Sequence, residues 1–203
     1  MRDEAERIRA AAAGDRDAFD QLVRAKRERV VRTAYQITGN LEDALDVAQG
    51  VFLKLWQGLD RYDPARTFDT WVYRITVNAA IDSLRSKGPK GMMHALPDEA
   101  AEILPAPEKR TADERLDLGS LQAAFRRLAA TLAPKQRAAF VLREIEGRTT
   151  SDVARILDVT ESTVRNHLLQ ARRILRRGLE RDYPELIQGF GDSEDRDDRG
   201  GGS

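Results

Sequence analysis

Residues 149–177 read TTSDVARILDVTESTVRNHLLQARRILRR, and the architecture can be built outward from them. Thr149 is a good helix N-cap, with Asp152 at the third helical position in a capping-box-like pattern. A short first helix is expected over 150–157, with Val153, Ala154 and Leu157 facing inward. Ala154 is small and lets a second helix come close. Asp158 stands at the break, and Asp accepts left-handed turn geometry better than most residues. Thr160 then caps a second helix. On it Val164, Leu168, Ala171 and Leu175 recur at steps of four, three and four, a narrow buried stripe.

Two helices so arranged have the layout of a helix-turn-helix. Away from that stripe the second carries Glu161, Ser162, Arg165, Asn166, Leu169, Gln170, Arg172, Arg173 and Arg176. Arginine suits guanine edges and asparagine suits adenine edges, so Arg165 and Asn166 are the base-reading candidates. The helix N-terminus and the later arginines suit phosphate. A helical hairpin with a solvated basic face fits the same pattern. His167 lies in this helix, but His94 is the only other histidine and there is no cysteine. No metal site is therefore expected, and His167 either packs at the helix edge or meets phosphate.

Charge supports the first reading. The chain of 203 residues carries 34 basic and 34 acidic side chains. The balance is local, however: residues 119–188 hold 13 basic and 8 acidic groups, whereas 189–203 hold 2 and 5. A basic segment matters for nucleic acid even when the sum is zero. The absence of cysteine removes disulfides, thiol nucleophiles and cysteine metal sites. No apolar run approaches the roughly 18–20 residues that span a bilayer. The N-terminus MRDEAERIRAAAAGD mixes acids with bases and has no signal-peptide core. A soluble cytoplasmic protein is the expectation.

Upstream, helical periodicity dominates. Phe19, Leu22, Val23, Val30, Ala34 and Ile37 make a stripe that ends at Gly39-Asn40. A helix over about 41–59 places Leu45, Ala48, Phe52, Leu55 and Trp56 on one side. Asp63-Pro64 interrupts, and a helix over about 67–85 repeats Phe68, Trp71, Val72, Ile75 and Ala79. From 88 to 113 the pattern dissolves, with four of the seven prolines, so this segment reads as a linker too long for a routine loop. Helices near 116–132 and 135–146 lead into the opening stretch. The expected architecture is all-α: two small helical domains, 1–87 and 114–182, a flexible linker over 88–113, and a disordered acidic tail over 183–203.

The N-terminal unit has its own constellation. In DRYDPARTFDTWVYRITVNAAIDSLRSK, Tyr62, Phe68, Trp71 and Tyr73 sit among Arg74, Asn78, Arg85 and Lys87. Phe68 and Trp71 have core spacing, and plain core is the simpler account of them. Tyr62 lies in a polar loop, where an aromatic has less reason to be buried. A loop aromatic beside basic helix positions suits capture of an unpaired base by stacking and phosphate attraction. The helix EDALDVAQGVFLKLW has an untidy outer edge, where Val47 and Leu53 miss the expected core stripe. Such a mixed edge suits docking to another protein's helices, and an ordinary surface helix fits equally.

Five stretches in this order, AFDQLV, DVAQGVFLKLW, FDTWVYRITVNAAIDSLR, LAPKQRAAFVLREIEGRTTSDVA and VTESTVRNHLLQARRILR, resemble the bacterial group-four, or extracytoplasmic-function, RNA polymerase sigma factors. The resemblance implies that the chain directs core polymerase to promoters and opens the −10 DNA. It implies that Asp46, Gln49, Phe52, Leu53 and Trp56 bind the clamp helices of the largest subunit, and that a further contact is made with the flap of the second subunit. It implies that Tyr62, Phe68, Trp71, Arg74, Asn78, Arg85 and Lys87 take the −10 strand. It implies that Thr160, Glu161, Ser162, Thr163, Arg165, Asn166, Leu169, Gln170, Arg172 and Arg173 read the −35 duplex. The linker would thread toward the polymerase cleft, and an anti-sigma protein is a family partner. Gly50 departs from the pattern, standing where an acidic residue is frequent, and Asp158 replaces a commoner glycine. No cofactor, catalytic residue or membrane insertion is expected: no phosphate loop, metal cluster or nucleophile triad can be assembled. A polymerase-independent duplex-binding regulator and a helical adaptor that mimics a sigma factor are the competing readings.

Overall fold

The structure is a computed structural model, and it describes residues 2–63, 67–87, 124, 125 and 127–184. The expected linker over 88–113 and the tail beyond 184 lie outside them. The described residues are helical and contain no strand. Helix α1 is Arg2–Ala12, α2 is Arg16–Thr38, α3 is Leu41–Gly58 with a 3-10 turn Leu59–Arg61 after it, and α4 is Phe68–Lys87. Then come α5, Pro134–Phe140, a π-helical turn Val141–Ile145, α6, Thr150–Leu157, and α7, Glu161–Asp182.

Local chemistry sets the helix ends. Asp15 Oδ1 accepts from the Ala18 amide at 3.1 Å, and Asn40 Oδ1 from the Asp43 amide at 3.0 Å. Each satisfies an amide that the first turn leaves without a partner. Gly39 closes α2 at φ 74°, where a side chain would be strained. Thr149 and Thr160 cap α6 and α7 as the sequence suggests, their hydroxyls accepting from the Asp152 and Thr163 amides. Asp158 adopts φ 54°, ψ 55° at the turn between them.

Helices α2, α3 and α4 form the N-terminal core, with α1 along α2. Here the expected stripe on α3 is corrected. Leu45 is 41% exposed and Phe52 only half-buried, whereas Ala44, Val47, Ala48, Val51 and Leu55 are buried. The helix is apolar over so wide an arc that two stripes compete. The one rich in small side chains faces inward, because it lets α2 and α4 approach closely. The expected single helix over 135–146 is also corrected. The backbone loosens after Phe140, and the Glu146 amide donates to the Val141 carbonyl, five residues back.

The two halves pack together. One apolar cluster runs from α2, α3 and α4 into Ala138, Leu142, Val153, Ile156 and Val164, with α6 lying against α4. Thr33 Oγ1 donates to Glu146 Oε1 at 2.5 Å, and the Arg148 guanidinium lies 4.1 Å from the Tyr73 ring centroid. A second small cluster joins Leu128 and Leu132 to Ala171 and Leu175 of α7. Gly178 makes room for it: a Cβ there would stand 2.3 Å from Leu128 Cδ2.

Candidate nucleic-acid and polymerase interface

Three surfaces carry the chemistry. The first is an open cleft of about 480 Å³ on one side of α4. Trp71, Arg74, Ile75 and Asn78 line it from one helix face, since steps of three, four and seven residues stay on one side. Arg61, Tyr62 and Asp63 border it from the turn before α4, and Lys54 from α3. Tyr62 is half-buried, its ring 5.3 Å from Trp71 and 5.6 Å edge-on from Phe68. Burial first, then the charges of Glu4, Asp63 and Asp69, push the Tyr62 phenol above its ordinary value. It therefore keeps its proton and can donate a hydrogen bond.

Not every predicted residue reaches this cleft. Phe68 is 4% exposed and props up Tyr62 and Trp71 from below. Asn78 is exposed beside the rings. Arg85 and Lys87 lie seven and nine residues further along, about 10–14 Å down the helix axis. Lys87 is engaged by Asp43, and Arg85 sits 3.8 Å from Asp82. These two flank the site and do not line it. Behind the cleft, Lys26 bridges Glu4 at 2.7 Å and Asp69 at 2.6 Å, tying α1, α2 and α4 together.

The second surface is the outer edge of α3. Asp46 and Gln49 are exposed, Leu53 is 56% exposed, and Phe52 and Trp56 are half-buried. Trp56 rests on Phe19 with centroids 4.8 Å apart. Correcting the core stripe turns Leu45 outward to join Leu53, so this edge is more apolar than a solvated helix needs.

The third surface is α7. Glu161, Ser162, Arg165, Asn166, Leu169, Arg172 and Arg173 are exposed, Leu169 at 64%, while Thr163 and Gln170 are half-buried. Thr160 and Thr163 hydroxyls lie 2.8 Å apart in the cap, and Arg165 pairs with Glu161 at 3.1 Å. Arg172 reaches Glu144 at 2.7 Å. His167 is held below its ordinary pKa by burial and by Lys135, so it is neutral at pH 7.

Comparison with known proteins decides what these surfaces belong to. The Sigma-70 region 2 family matches residues 22–89 and the Sigma-70 region 4 family matches residues 122–175. The extracytoplasmic-function RNA polymerase sigma factor SigE of Mycolicibacterium smegmatis is 37% identical over 87% of this chain and 68% of its own length. The chain belongs to the extracytoplasmic-function sigma factors. The sigma factor SigW of Bacillus subtilis is 30% identical over 85% of this chain and 95% of its own. The solved structure of CnrH in complex with the cytosolic domain of CnrY is similar at a TM-score of 0.61, with 25% identity, covering 89% of this chain and 99% of that one. RpoE from Bartonella quintana, solved with the anti-sigma factor NepR, shares the fold at a TM-score of 0.59 and 19% identity over 81% and 98%. This sigma factor works with RNA polymerase and promoter DNA in promoter-specific initiation of transcription.

Three features of this sigma factor leave no signal in the sequence: Arg137 buried between the halves, the Thr33–Glu146 hydrogen bond, and Arg148 over Tyr73. Each depends on a contact across more than 70 residues of chain, which periodicity does not report. Among the described residues, no helix is long and apolar enough to cross a membrane.

Proposed function

We propose that this sigma factor divides promoter recognition between its halves. The N-terminal unit, 1–87, captures an unpaired −10 base in the α4 cleft, and the C-terminal unit, 114–182, reads the −35 duplex with α7. The observation that carries this reading is the cleft. Tyr62 and Trp71 offer aromatic faces for stacking, Arg74 and Lys54 offer cations for phosphate, and Asn78 offers an amide to a base edge. Stacking on an aromatic is worth about 1–3 kcal/mol per base, enough to offset the few kcal/mol of flipping it out. On α7, Arg165 and Asn166 stand near the N-terminus of the helix and read base edges, while Arg172 and Arg173 hold phosphate.

The outer edge of α3, with Asp46, Gln49, Phe52, Leu53 and Trp56, docks on the clamp helices of the polymerase's largest subunit, and the C-terminal unit meets the flap of the second. The sigma factor makes no bond itself; the polymerase does the chemistry, in the cytoplasm. An anti-sigma protein belongs to this reading, as the similar RpoE is seen bound to one.

Permanganate footprinting tests the cleft. Asn78→Ala or Tyr62→Ala should lower thymine reactivity at the −10 element while leaving duplex binding near wild type. Wild-type reactivity in both variants would remove the cleft from strand capture. For α7, Arg165→Ala assayed on a promoter library with core polymerase should relax choice at one or two upstream base pairs, a loss of about 1–3 kcal/mol of discrimination. A uniform loss on all sequences would make Arg165 a phosphate contact.

A further inference from the structure

The surface through which the two halves touch is not one that base capture or duplex reading uses. Tyr73, which takes the Arg148 guanidinium, lies on the side of α4 turned away from Trp71 and Asn78. Arg137 of α5 enters at the C-terminal end of α2: a Cβ at Gly39 would stand 2.6 Å from its Nη2. The apolar cluster shared by α4 and α6 holds this closed arrangement together.

Two charged groups oppose it. Arg137 is 2% exposed, and its Nε and Nη1 have no hydrogen-bond partner. Burial pulls its pKa down to about 10, so at pH 7 it still carries its charge. Glu146 gives one oxygen to Thr33, and its Oε2 is buried without a partner. An ion buried without full pairing is among the costliest groups a fold can hold. Water can solvate both as soon as the halves part.

The proposed promoter roles require them to part. Elements named for positions −10 and −35 lie about 25 base pairs apart, or about 85 Å along a duplex at 3.4 Å per step. A compact body of a chain this size is only about 40 Å across. The 36 residues from 88 to 123 have a contour length of at most about 120 Å, enough for the halves to separate.

We propose that Arg137 and Glu146 set the balance between a closed free chain and the open form used on the promoter. The unpartnered guanidinium nitrogens of buried Arg137 and the unpartnered Oε2 of half-buried Glu146 keep the closed form close to the point of opening, so that polymerase binding can tip it. This proposal rests on the division of labour proposed above.

The chain has no cysteine, so single cysteines at Asp17 and Asp182, one in each half and both exposed, take spin labels cleanly. Distances are measured on the full-length free chain and with core polymerase. Arg137→Met keeps side-chain length and drops the charge; it should shift the closed-to-open ratio at least about tenfold toward closed. Apparent polymerase affinity should fall in proportion, since only the open fraction binds. Thr33→Val combined with Arg148→Ala should do the opposite, raising the long-distance population several-fold and tightening polymerase binding. Unchanged distances and affinities in both variants would overturn the proposal, as would opening by Arg137→Met. If Arg137→Met fails to fold, the double variant decides alone. Should the wild-type chain not direct polymerase at all, the promoter reading falls, while the label distances still decide whether these residues govern closure.

Discussion

Asp158 is the only non-glycine among the described residues with positive φ. Its short polar side chain tolerates that conformation, and a β-branched one does not. Asp158→Val should therefore cost about 1–3 kcal/mol, read as a lower urea midpoint. Gly50 is the reverse case. It sits inside α3, and a Cβ there would meet nothing within 4 Å. Gly50→Ala should gain about 1 kcal/mol, raising the melting temperature by about 2–4 °C. Asp69 carries the pH dependence. Burial would raise its carboxyl, but the hydrogen bonds and charges of Lys26 and Arg29 outweigh burial and hold it below its ordinary value. A carboxyl lowered on folding stabilises fully above its unfolded pKa of about 3.9 and loses that contribution as pH falls through the lower folded value. The stability gap between wild type and Asp69→Asn should be constant near neutral pH and close as acid is added in urea melts.

At the scale of elements, the caps are the most legible part of the chain. Thr149, Asp158 and Thr160 announce α6 and α7, and the structure bonds them as their side chains suggest. Thr160→Ala should cost about 1 kcal/mol in equilibrium unfolding. The inward stripe of α7 was equally legible, because Val164, Leu168, Ala171 and Leu175 stand apart from a polar remainder. The α3 stripe was not. With Leu45, Val47, Val51, Phe52 and Leu53 all apolar, hydrophobicity alone does not say which arc is buried; the arc that carries the small Ala44 and Ala48 faces in because α2 and α4 come close there. The π turn at Val141–Ile145 was also hidden, since no proline or glycine marks it. In the cleft, the core spacing of Phe68 agrees with its burial, and only the family resemblance placed it among the −10 contacts; the same spacing gives Trp71 to the core, whereas it is half-buried and lines the cleft.

For the molecule as a whole, the sequence reads as two helical domains joined by a linker, and the structure packs them through one shared apolar cluster. A shared core predicts shared unfolding. Calorimetry of the free sigma factor should show a single cooperative transition, and Thr33→Val with Arg148→Ala should broaden or split it. Two separate transitions in wild type would mean that the halves melt independently. The rings in the N-terminal unit carry one more consequence. The chain has two tryptophans, and both lie in that unit: Trp56 against Phe19, Trp71 half-buried on the rim beside Tyr62. The protein therefore brings its own fluorophore to the place where a nucleobase would stack. Quenching of the intrinsic emission should follow each bound oligonucleotide, vanish in Trp71→Phe, and stay silent while α7 alone surveys double-stranded DNA.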